Sequence, residues 1–327
     1  MLSEFDLIAS YFTRPHSGDV RIGLGIGDDC ALLLPTAGMQ LAISTDMLVE
    51  GRHFFAGTDA ADLGHKALAV NLSDLAAMGA TPLAFTLALS LPEASPDWLA
   101  NFSRGLFALA DLHGCNLIGG DTTRGPLNIC ITVFGELPAG AVLRRDAALP
   151  GDELWVSGTL GDARLALAAL RNEDVLTASL TLSDAELQQA SLRLHRPTPR
   201  VALGTALRGI AHAAIDISDG FDGDLAHVLA RSRCGASVDV DALPAGPILQ
   251  KMTPALRRDW CLAGGDDYEL CFTAPLHQRA AVLAAGRASS TRVTRIGSID
   301  AATGLRLLDA GGNVLQAPPS FDHFGKS

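Results

Sequence analysis

The chain has 327 residues, of which 48% are hydrophobic, and a formal net charge of −11 at pH 7. This length accommodates two domains of ordinary size, each with its own hydrophobic core. The acidic balance and the lack of any run of lysines or arginines argue against a nucleic-acid partner. Because only three lysines are present, phosphate contacts would depend on divalent cations and a few arginines.

The six cysteines are scattered along the chain without a CxxC pair. This spacing is typical of reduced, mostly buried thiols and not of a disulfide framework or a zinc site. The N-terminus lacks the basic region of a signal peptide, and no apolar run reaches transmembrane length. We therefore expect a cytoplasmic protein with no membrane partner.

In the N-terminal half, hydrophobic periodicity predicts alternating helices and strands. The predicted elements are a helix over 3–13, strands over 21–26 and 41–45, a helix over 59–78, a strand over 82–91, a helix from Ser95 to near Gly114, and strands over 115–118 and 128–134. Ser3 with Asp6, and Ser95 followed by Pro96, supply the signals for two helix N-termini.

Pro150-Gly151-Asp152 marks the expected boundary between an N-terminal domain, 1–149, and a C-terminal domain, 150–327. Beyond it the pattern predicts strands over 153–157, 213–217, 236–240, 268–272 and 293–299, with helices beginning near 162, 183, 199 and 220. Ser183 with Glu186 predicts a capping box at the second of these helices. Strands and helices alternate in both halves, so the predicted fold class is α/β or α+β.

The first strand and first helix of the C-terminal half are joined by Gly158-Thr159-Leu160-Gly161-Asp162. A glycine turn of this kind can cradle a phosphate group at the N-terminus of the helix. The same pattern also occurs as a plain connection between a strand and a helix, so the sequence leaves both interpretations open.

Aspartate recurs beside small residues at the ends of apolar stretches. The six segments are Gly25-Ile26-Gly27-Asp28-Asp29, Ser44-Thr45-Asp46, Asn71-Leu72-Ser73-Asp74, Gly119-Gly120-Asp121, Asp216-Ile217-Ser218-Asp219-Gly220 and Gly264-Gly265-Asp266-Asp267. Each segment alone is typical of an ordinary turn. Their repetition favours one polynuclear metal site, because clustered carboxylates need cations beside them.

Two of these segments carry more specific expectations. Asp46 should follow directly after the end of a strand. Asn71 and Asp74 should share one face of a helix, because they are three residues apart. That face is either a solvent-exposed stripe or a contact with a metal or phosphate.

Several common catalytic motifs are absent from the sequence: the Walker A loop, GxGxxG, GxSxG and HExxH. The nine histidines show no ligand spacing, so zinc is not indicated. Hard carboxylate oxygens suit Mg²⁺ or Mn²⁺. Clustered metals of this kind suit phosphoryl transfer. The residues therefore predict a Mg²⁺-dependent enzyme that acts on phosphorylated substrates with ATP.

The six aspartate segments, the run 66–79 and the segment 264–270 resemble the thiamine-monophosphate kinase family. The resemblance continues in order to Phe321-Asp322-His323-Phe324, over essentially the whole chain. It implies the two-domain fold shared with aminoimidazole ribonucleotide synthetase, with the N-terminal sheets of two subunits joined in a homodimer. It also implies in-line transfer of the γ-phosphoryl group of ATP to thiamine phosphate, without a phosphoenzyme, within a cluster of Mg²⁺ ions.

The resemblance further implies residue roles, carried over by position. The implied metal ligands are Asp29, Ser44, Thr45, Asp46, Asp74, Asp121, Asp216 and Asp219, of which Asp29, Asp74, Asp121 and Asp219 are the implied catalytic residues. Gly120, Asp121, Arg145 and Ser218 are the implied contacts of ATP. His53, Asp266 and Phe321 are the implied contacts of thiamine phosphate.

For several of these residues a plainer interpretation stays open. Arg145 offers a forked donor for phosphate, but its neighbour Arg144 offers the same, and both could be solvated. His53 could be an ordinary loop histidine. Phe321 could stack on a substrate ring or fix the C-terminal tail in a core. Asp28 either supports its turn by hydrogen bonds or supports the metal ligands.

Other functions remain as alternatives. Within the same superfamily these are purine-pathway ligases, selenophosphate synthetase and a hydrogenase-maturation dehydratase. From another class, the protein could bind Mg-nucleotide or thiamine phosphate without catalysis. We expect Cys30 to be buried, because it leads into an apolar run, and this argues against selenophosphate synthetase. The last residues carry no cysteine, which argues against the maturation enzyme.

Overall fold

The computed structural model describes residues 3–15, 18–173 and 182–316. The chain forms two compact units. The N-terminal unit comprises the chain up to Leu75 together with Ala80–Gly140, and the C-terminal unit comprises Ala76–Gly79 and the chain from Ala141 onward.

The N-terminal unit is built on a four-stranded sheet with two long helices. It begins with α1 (Glu4–Leu7), which continues into a π-helical turn (Ile8–Phe12), and a two-stranded ribbon of β1 (Ile22–Leu24) and β2 (Leu32–Leu33). Four longer strands follow: β3 (Met39–Val49), β4 (Thr81–Leu91), β5 (Asn116–Arg124) and β6 (Asn128–Pro138). They lie in the order β3-β6-β4-β5, with α2 (Ala60–Ala77) and α3 (Pro96–His113) between strands in sequence.

The two long helices pack closely because glycines lie where they approach each other. A Cβ added to Gly105 would lie 1.9 Å from the carbonyl oxygen of Ala61, and one added to Gly64 would lie 2.2 Å from that of Phe102. Around these contacts, leucine side chains of both helices are fully buried. One face of the sheet packs on α2, since Leu75 lies 3.0 Å from the position of a Cβ on Gly135 of β6.

The opposite face of this sheet is partly open. The ribbon packs against Ala84 and Phe134. Along the edge strand β3, however, Leu41, Ile43 and Met47 are 39%, 59% and 52% exposed. We call these three residues the open face.

The C-terminal unit is built on a seven-stranded sheet. Its strands are β7 (Asp152–Ser157), β8 (Ala213–Ile217), β9 (Gly235–Asp239), β10 (Glu269–Pro275), β11 (Val293–Asp300), β12 (Gly304–Leu308) and β13 (Val314–Leu315), in the order β13-β12-β9-β11-β7-β10-β8. All pairings are antiparallel except that of β9 with β12. Its helices are α4 (Asp162–Leu170), α5 (Asp184–His195), α6 (Val201–Ala206), α7 (Phe221–Ser232), α8 (Pro254–Ala263) and α9 (Arg279–Ala288).

The predicted fold class is confirmed, and so are the local helix signals. Ser3 with Asp6 and Ser183 with Glu186 form capping boxes, and Ser95 caps α3 ahead of Pro96. Several strand boundaries differ from the prediction, and two of these differences affect the aspartate segments. β3 runs to Val49 and β5 runs to Arg124, so residues predicted to lie at strand ends lie inside strands. Among the described residues, no helix combines the length and apolar character needed to span a membrane.

Candidate active site

The turn at residues 25–29 is exposed and supports itself. The Asp29 N–H donates to Oδ1 of Asp28 at 2.9 Å, and both side chains are exposed. Asp28 therefore stabilises the turn, while the Asp29 carboxylate faces solvent at its tip. Cys30 is also exposed, so the expectation that it is buried is wrong. The reason is that the chain joins the ribbon only at Leu32, which is itself 56% exposed.

The segment 44–46 lies in the middle of β3, so the prediction that Asp46 follows a strand end is wrong. The strand continues because its backbone pairs with β6 along its whole length. Ser44 Oγ donates a short hydrogen bond to Asp74 Oδ2 of α2. Alternate residues of a strand point to opposite faces. Thr45 accordingly turns away and meets Thr132, with 2.8 Å between their hydroxyl oxygens.

Asn71 and Asp74 do not form a solvent-exposed stripe. Asn71 is 1% exposed, and its Oδ1 accepts the backbone N–H of Asp46 at 3.0 Å. Its Nδ2 donates to the carbonyl oxygen of Ala67 at 2.9 Å, which fixes the orientation of the amide. Both polar residues of α2 therefore contact β3, and they bring the hydroxyl and carboxylates of Ser44, Asp46 and Asp74 to one side of the sheet.

Gly119-Gly120-Asp121 also lies inside a strand instead of forming a turn. A register shift between β4 and β5 accommodates the glycines. A Cβ on Gly120 would lie 1.9 Å from the carbonyl oxygen of Leu87, so only glycine fits here. The pairing places Asp121 beside Ala88, and that row continues through β6 to Met47 on the open face.

Asp121 is therefore far from Asp46 within one chain. Their strands are the two edges of the sheet, which are three strand spacings or roughly 14 Å apart. Magnesium binds oxygen ligands at about 2.1 Å, so one ion does not bridge these two carboxylates of the same chain. Among the described residues, no group of three or more histidine, cysteine, aspartate or glutamate side chains converges as a metal site.

His53 lies in the turn that follows β3. The Val49 N–H donates to Nδ1 of His53 at 3.0 Å, and the His53 N–H donates to the Val49 carbonyl oxygen at 3.0 Å. Because Nδ1 accepts a hydrogen bond, the neutral ring carries its proton on Nε2. These two contacts fix the orientation of the half-buried ring.

In the C-terminal unit, the segment 216–220 connects β8 to α7. Asp216 is 4% exposed, whereas Asp219 is exposed. The backbone N–H groups of Ser218 and Asp219 donate to Asp224 Oδ2 at 3.0 and 3.2 Å. Burial raises the pKa of Asp224 to about 6. The first turn of α7 therefore holds the loop that carries Ser218 and Asp219.

The segment 264–268 packs against that loop. The Asp266 N–H donates to the Ser218 carbonyl oxygen, and the Tyr268 N–H to that of Ile217, both at 2.8 Å. Asp267 is 1% exposed, and its two oxygens accept the Gly161 N–H at 3.0 and 3.1 Å. The N-terminus of α4 is thus occupied by a carboxylate of the chain itself, which favours the plain strand–helix connection over a phosphate cradle.

The two adjacent arginines differ in their partners. Arg144 forms a bidentate ion pair with Asp146, with distances of 2.7 and 2.6 Å. Arg145 is exposed, and its carbonyl oxygen accepts the Ser232 hydroxyl at 2.9 Å. The structure therefore favours Arg145 over Arg144 as a donor to phosphate. Phe321 lies outside the described residues.

Three structural residues of these loops were not identified as such from the sequence: Asn71, Asp224 and Asp267. Asp224 carries a recognisable signal, because an aspartate in the first turn of a helix often binds preceding backbone N–H groups. Asn71 and Asp267 carry none, because their partners are distant in sequence.

Both halves of the chain match family models. Residues 27–137 match the AIR synthase related protein, N-terminal domain, and residues 150–309 match the AIR synthase related protein, C-terminal domain. The fold and its carboxylate-bearing segments therefore define an AIR synthase related protein.

Relatives that match nearly the whole chain identify the family within this class of proteins. The chain is 48% identical to the thiamine-monophosphate kinase of Salmonella typhimurium, over 98% of each chain. The crystal structure of thiamine-monophosphate kinase from Stenotrophomonas maltophilia K279a is 52% identical, with a TM-score of 0.83 over 89% of this chain and 92% of that one. AaThiL complexed with AMPPCP and TMP is 28% identical, with a TM-score of 0.75 over 89% of each chain. The chain belongs to the thiamine-monophosphate kinase family.

Proposed function

We propose that this protein transfers the γ-phosphoryl group of ATP to thiamine phosphate and releases thiamine diphosphate and ADP, in the cytoplasm. The observation that carries the proposal is 48% identity to a thiamine-monophosphate kinase across 98% of both chains. The AaThiL structure contains AMPPCP and TMP together, which agrees with a reaction between a nucleotide and a second ligand.

We propose that Mg²⁺ ions serve the reaction, because every suggested ligand supplies a hard oxygen. In the N-terminal unit these ligands are Asp29, Ser44, Thr45, Asp46, Asp74 and Asp121, and in the C-terminal unit they are Asp216 and Asp219. Ser44, Asp46 and Asp74 fit this role, since α2 brings them to one side of the sheet. The Thr45 side chain points to the other face, so Thr45 would contribute its backbone. When bound, Mg²⁺ supplies the positive charge that offsets the phosphate oxygens.

The remaining proposed residues bind and orient the two substrates. For ATP these are Gly120, Arg145 and Ser218, and for thiamine phosphate they are His53, Asp266 and Phe321. The orientation of the His53 ring is fixed by the hydrogen bond that its Nδ1 accepts from the Val49 N–H. No general base is needed, because the attacking phosphate oxygen is already anionic near neutral pH. The chain therefore acts by holding the reacting groups in line.

We also propose that the protein is a homodimer joined through the open face. Leu41, Ile43 and Met47 leave an apolar strip on the edge of the sheet. Asp46 and Asp121 lie on opposite edges of that sheet. An ion shared by these two carboxylates would therefore need Asp46 from one subunit and Asp121 from the other.

The assay for catalysis mixes the purified protein with ATP, Mg²⁺ and thiamine phosphate and measures thiamine diphosphate and ADP. Product formation that stops when EDTA removes divalent cations supports the proposal. Binding of both substrates without product supports the non-catalytic alternative and contradicts a kinase.

The shared site has its own test, in which Asp46→Asn and Asp121→Asn homodimers are mixed and allowed to exchange subunits. Half of the dimers then contain one intact site of two, so activity should recover to about a quarter of the wild-type rate. No recovery, although exchange is confirmed by mass spectrometry, would show that both carboxylates serve a site within one chain.

The double substitution Ile43→Asp with Met47→Asp should yield monomers by light scattering, whereas Leu276→Asp, at an exposed leucine of the C-terminal unit, should not.

A further inference from the structure

The segment 264–268 contains two residues in an unfavourable backbone conformation. Asp266 and Tyr268 have φ angles of 63° and 50°, in the left-handed region, and Asp267 lies between them. Residues with a side chain adopt this region at an energetic cost, and they keep it only where surrounding contacts fix them. Two such residues in one short segment point to a geometry that serves the site.

Asp267 supplies the contact that holds this segment to another part of the unit. Both of its carboxylate oxygens accept the N–H of Gly161, the residue that precedes α4. The first backbone N–H groups of a helix have no partner within the helix, and the Asp267 side chain satisfies one of them. Asp267 is 1% exposed, so water does not compete for this contact.

The chain beyond Asp267 is fixed by a buried ion-pair cluster. Arg193 Nη2 donates to the Asp267 carbonyl oxygen at 3.3 Å and to Glu269 Oε1 at 2.8 Å. Glu269 is fully buried, and Arg200 Nε donates to its Oε2 at 2.6 Å. The strand that follows the segment therefore has a fixed position.

Asp266 is held from two sides as a result. Its N–H donates to the Ser218 carbonyl oxygen, and the Tyr268 hydroxyl donates to its Oδ1 at 3.1 Å. The two adjacent aspartates therefore differ in their exposure to solvent: Asp267 is buried, and Asp266 is half-buried. The buried carboxylate fixes the backbone, and the Tyr268 hydroxyl fixes the direction of the Asp266 carboxylate.

We propose that Asp267 is a positioning residue for substrate binding, which acts by holding Asp266 in the orientation that contacts thiamine phosphate. The inference rests on the proposed function, in which Asp266 is a substrate contact. It assigns to Asp267 and Tyr268 an effect on the recognition of thiamine phosphate and none on the recognition of ATP.

The first test is the kinetics of Asp267→Ala. Its KM for thiamine phosphate should rise about tenfold and its KM for ATP should change by less than about twofold. Asp267→Asn should recover most of the loss, because an amide oxygen still accepts the Gly161 N–H. Asp152→Asn is the control, because Asp152 is a buried aspartate of the same unit, 3% exposed, that forms hydrogen bonds with Thr273 and His212. Its substitution should lower the stability of the protein without changing either KM.

The second test asks whether Asp267 acts through Asp266. In an Asp266→Ala background, the further substitution Asp267→Ala should raise the KM for thiamine phosphate by less than about twofold, because the group it positions is gone. Another tenfold rise in that background would overturn the inference, and so would equal rises in both KM values in the single variant.

Tyr268→Phe provides a test that does not depend on how well the Asp267 variants fold. The substitution removes the Tyr268 hydroxyl that donates to Asp266 and keeps the buried ring. The KM for thiamine phosphate should therefore rise about threefold, with the KM for ATP unchanged. An unchanged KM for both substrates would contradict the inference. A wild-type protein that forms no thiamine diphosphate would instead overturn the proposed function itself.

Discussion

Two segments of this chain carry glycines followed by Asp-Asp, residues 25–29 and residues 264–267. In the first, both carboxylates are exposed, and the turn is stabilised by a hydrogen bond between its own two aspartates. In the second, Asp267 is buried against Gly161, 106 residues away in the chain. The same residue types thus form a self-supporting turn in one place and a junction of distant segments in the other.

The difference lies in how much each segment depends on its surroundings. A self-supporting turn can present a carboxylate without contributing to the stability of the unit. A buried junction links the position of one carboxylate to the folding of the whole unit. We therefore expect substitutions in the first segment to change catalysis alone and those in the second to change stability and binding together.

The largest expected effect is that of Asp29→Asn. The exposed carboxylate is a proposed metal ligand, so kcat should fall at least about a thousandfold at saturating Mg²⁺, with the melting temperature unchanged. Asp28→Asn is the matched control. Its amide oxygen still accepts the Asp29 N–H, and most of the activity should remain. A normal kcat for Asp29→Asn would contradict the proposed metal ligand.

The second effect concerns the glycines of the two segments. A Cβ on Gly265 would lie 2.6 Å from the Ser218 carbonyl oxygen, so Gly265→Ala should reduce the free energy of unfolding by about 1–3 kcal/mol. A Cβ on Gly25 would meet no atom within 4 Å, so Gly25→Ala should change it by less than about 0.5 kcal/mol. Urea unfolding measures the change in the free energy of unfolding of each variant. Similar losses in the two variants would remove the contrast between the segments.

The smallest effect is a pH dependence of stability. Burial raises the pKa of Asp267 well above its usual range. Because the pKa in the folded state exceeds the value of about 4 in the unfolded chain, the stability that this group contributes is greatest below about pH 4 and is lost as the pH rises towards the folded pKa.

Asp267→Asn should therefore gain stability relative to the wild type as the pH rises above about 4. Urea unfolding at several pH values, without ligands, measures the difference. Gly25→Ala removes no titratable group, so its curve should run parallel to that of the wild type. A difference that shrinks as the pH rises would mean that Asp267 is held in its charged form.

Features that depend only on residues close together in the chain are predicted well from the sequence. The capping boxes of Ser3 and Ser183 need a partner three residues away, and both were predicted correctly. The order of helices and strands follows from hydrophobic period, which is also local. These features account for most of the fold.

The errors of prediction share a different origin. Asp46 lies inside β3 because β6, some eighty residues later, pairs with the strand beyond it. Asp121 lies inside β5 because β4 continues beside it. Cys30 is exposed because the ribbon covers it less than its apolar neighbours suggest. In each case the outcome depends on where strands pair, which hydrophobic periodicity does not show: the pairing extends past Asp46 and Asp121 but begins only after Cys30.

The arrangement of the C-terminal sheet has a consequence during synthesis. β7 is the first strand of this sheet in the chain, yet its neighbours in the sheet are β10 and β11. The Leu270 N–H of β10, for example, donates to the Ser157 hydroxyl of β7 across 113 residues of sequence. A ribosome adds residues at roughly 5–20 per second, so β7 emerges roughly ten seconds before either neighbour exists. All six of its residues are buried in the finished protein. The nascent chain therefore carries an unpaired strand for that interval, and its Leu154, Trp155 and Val156 stay open to association with other chains.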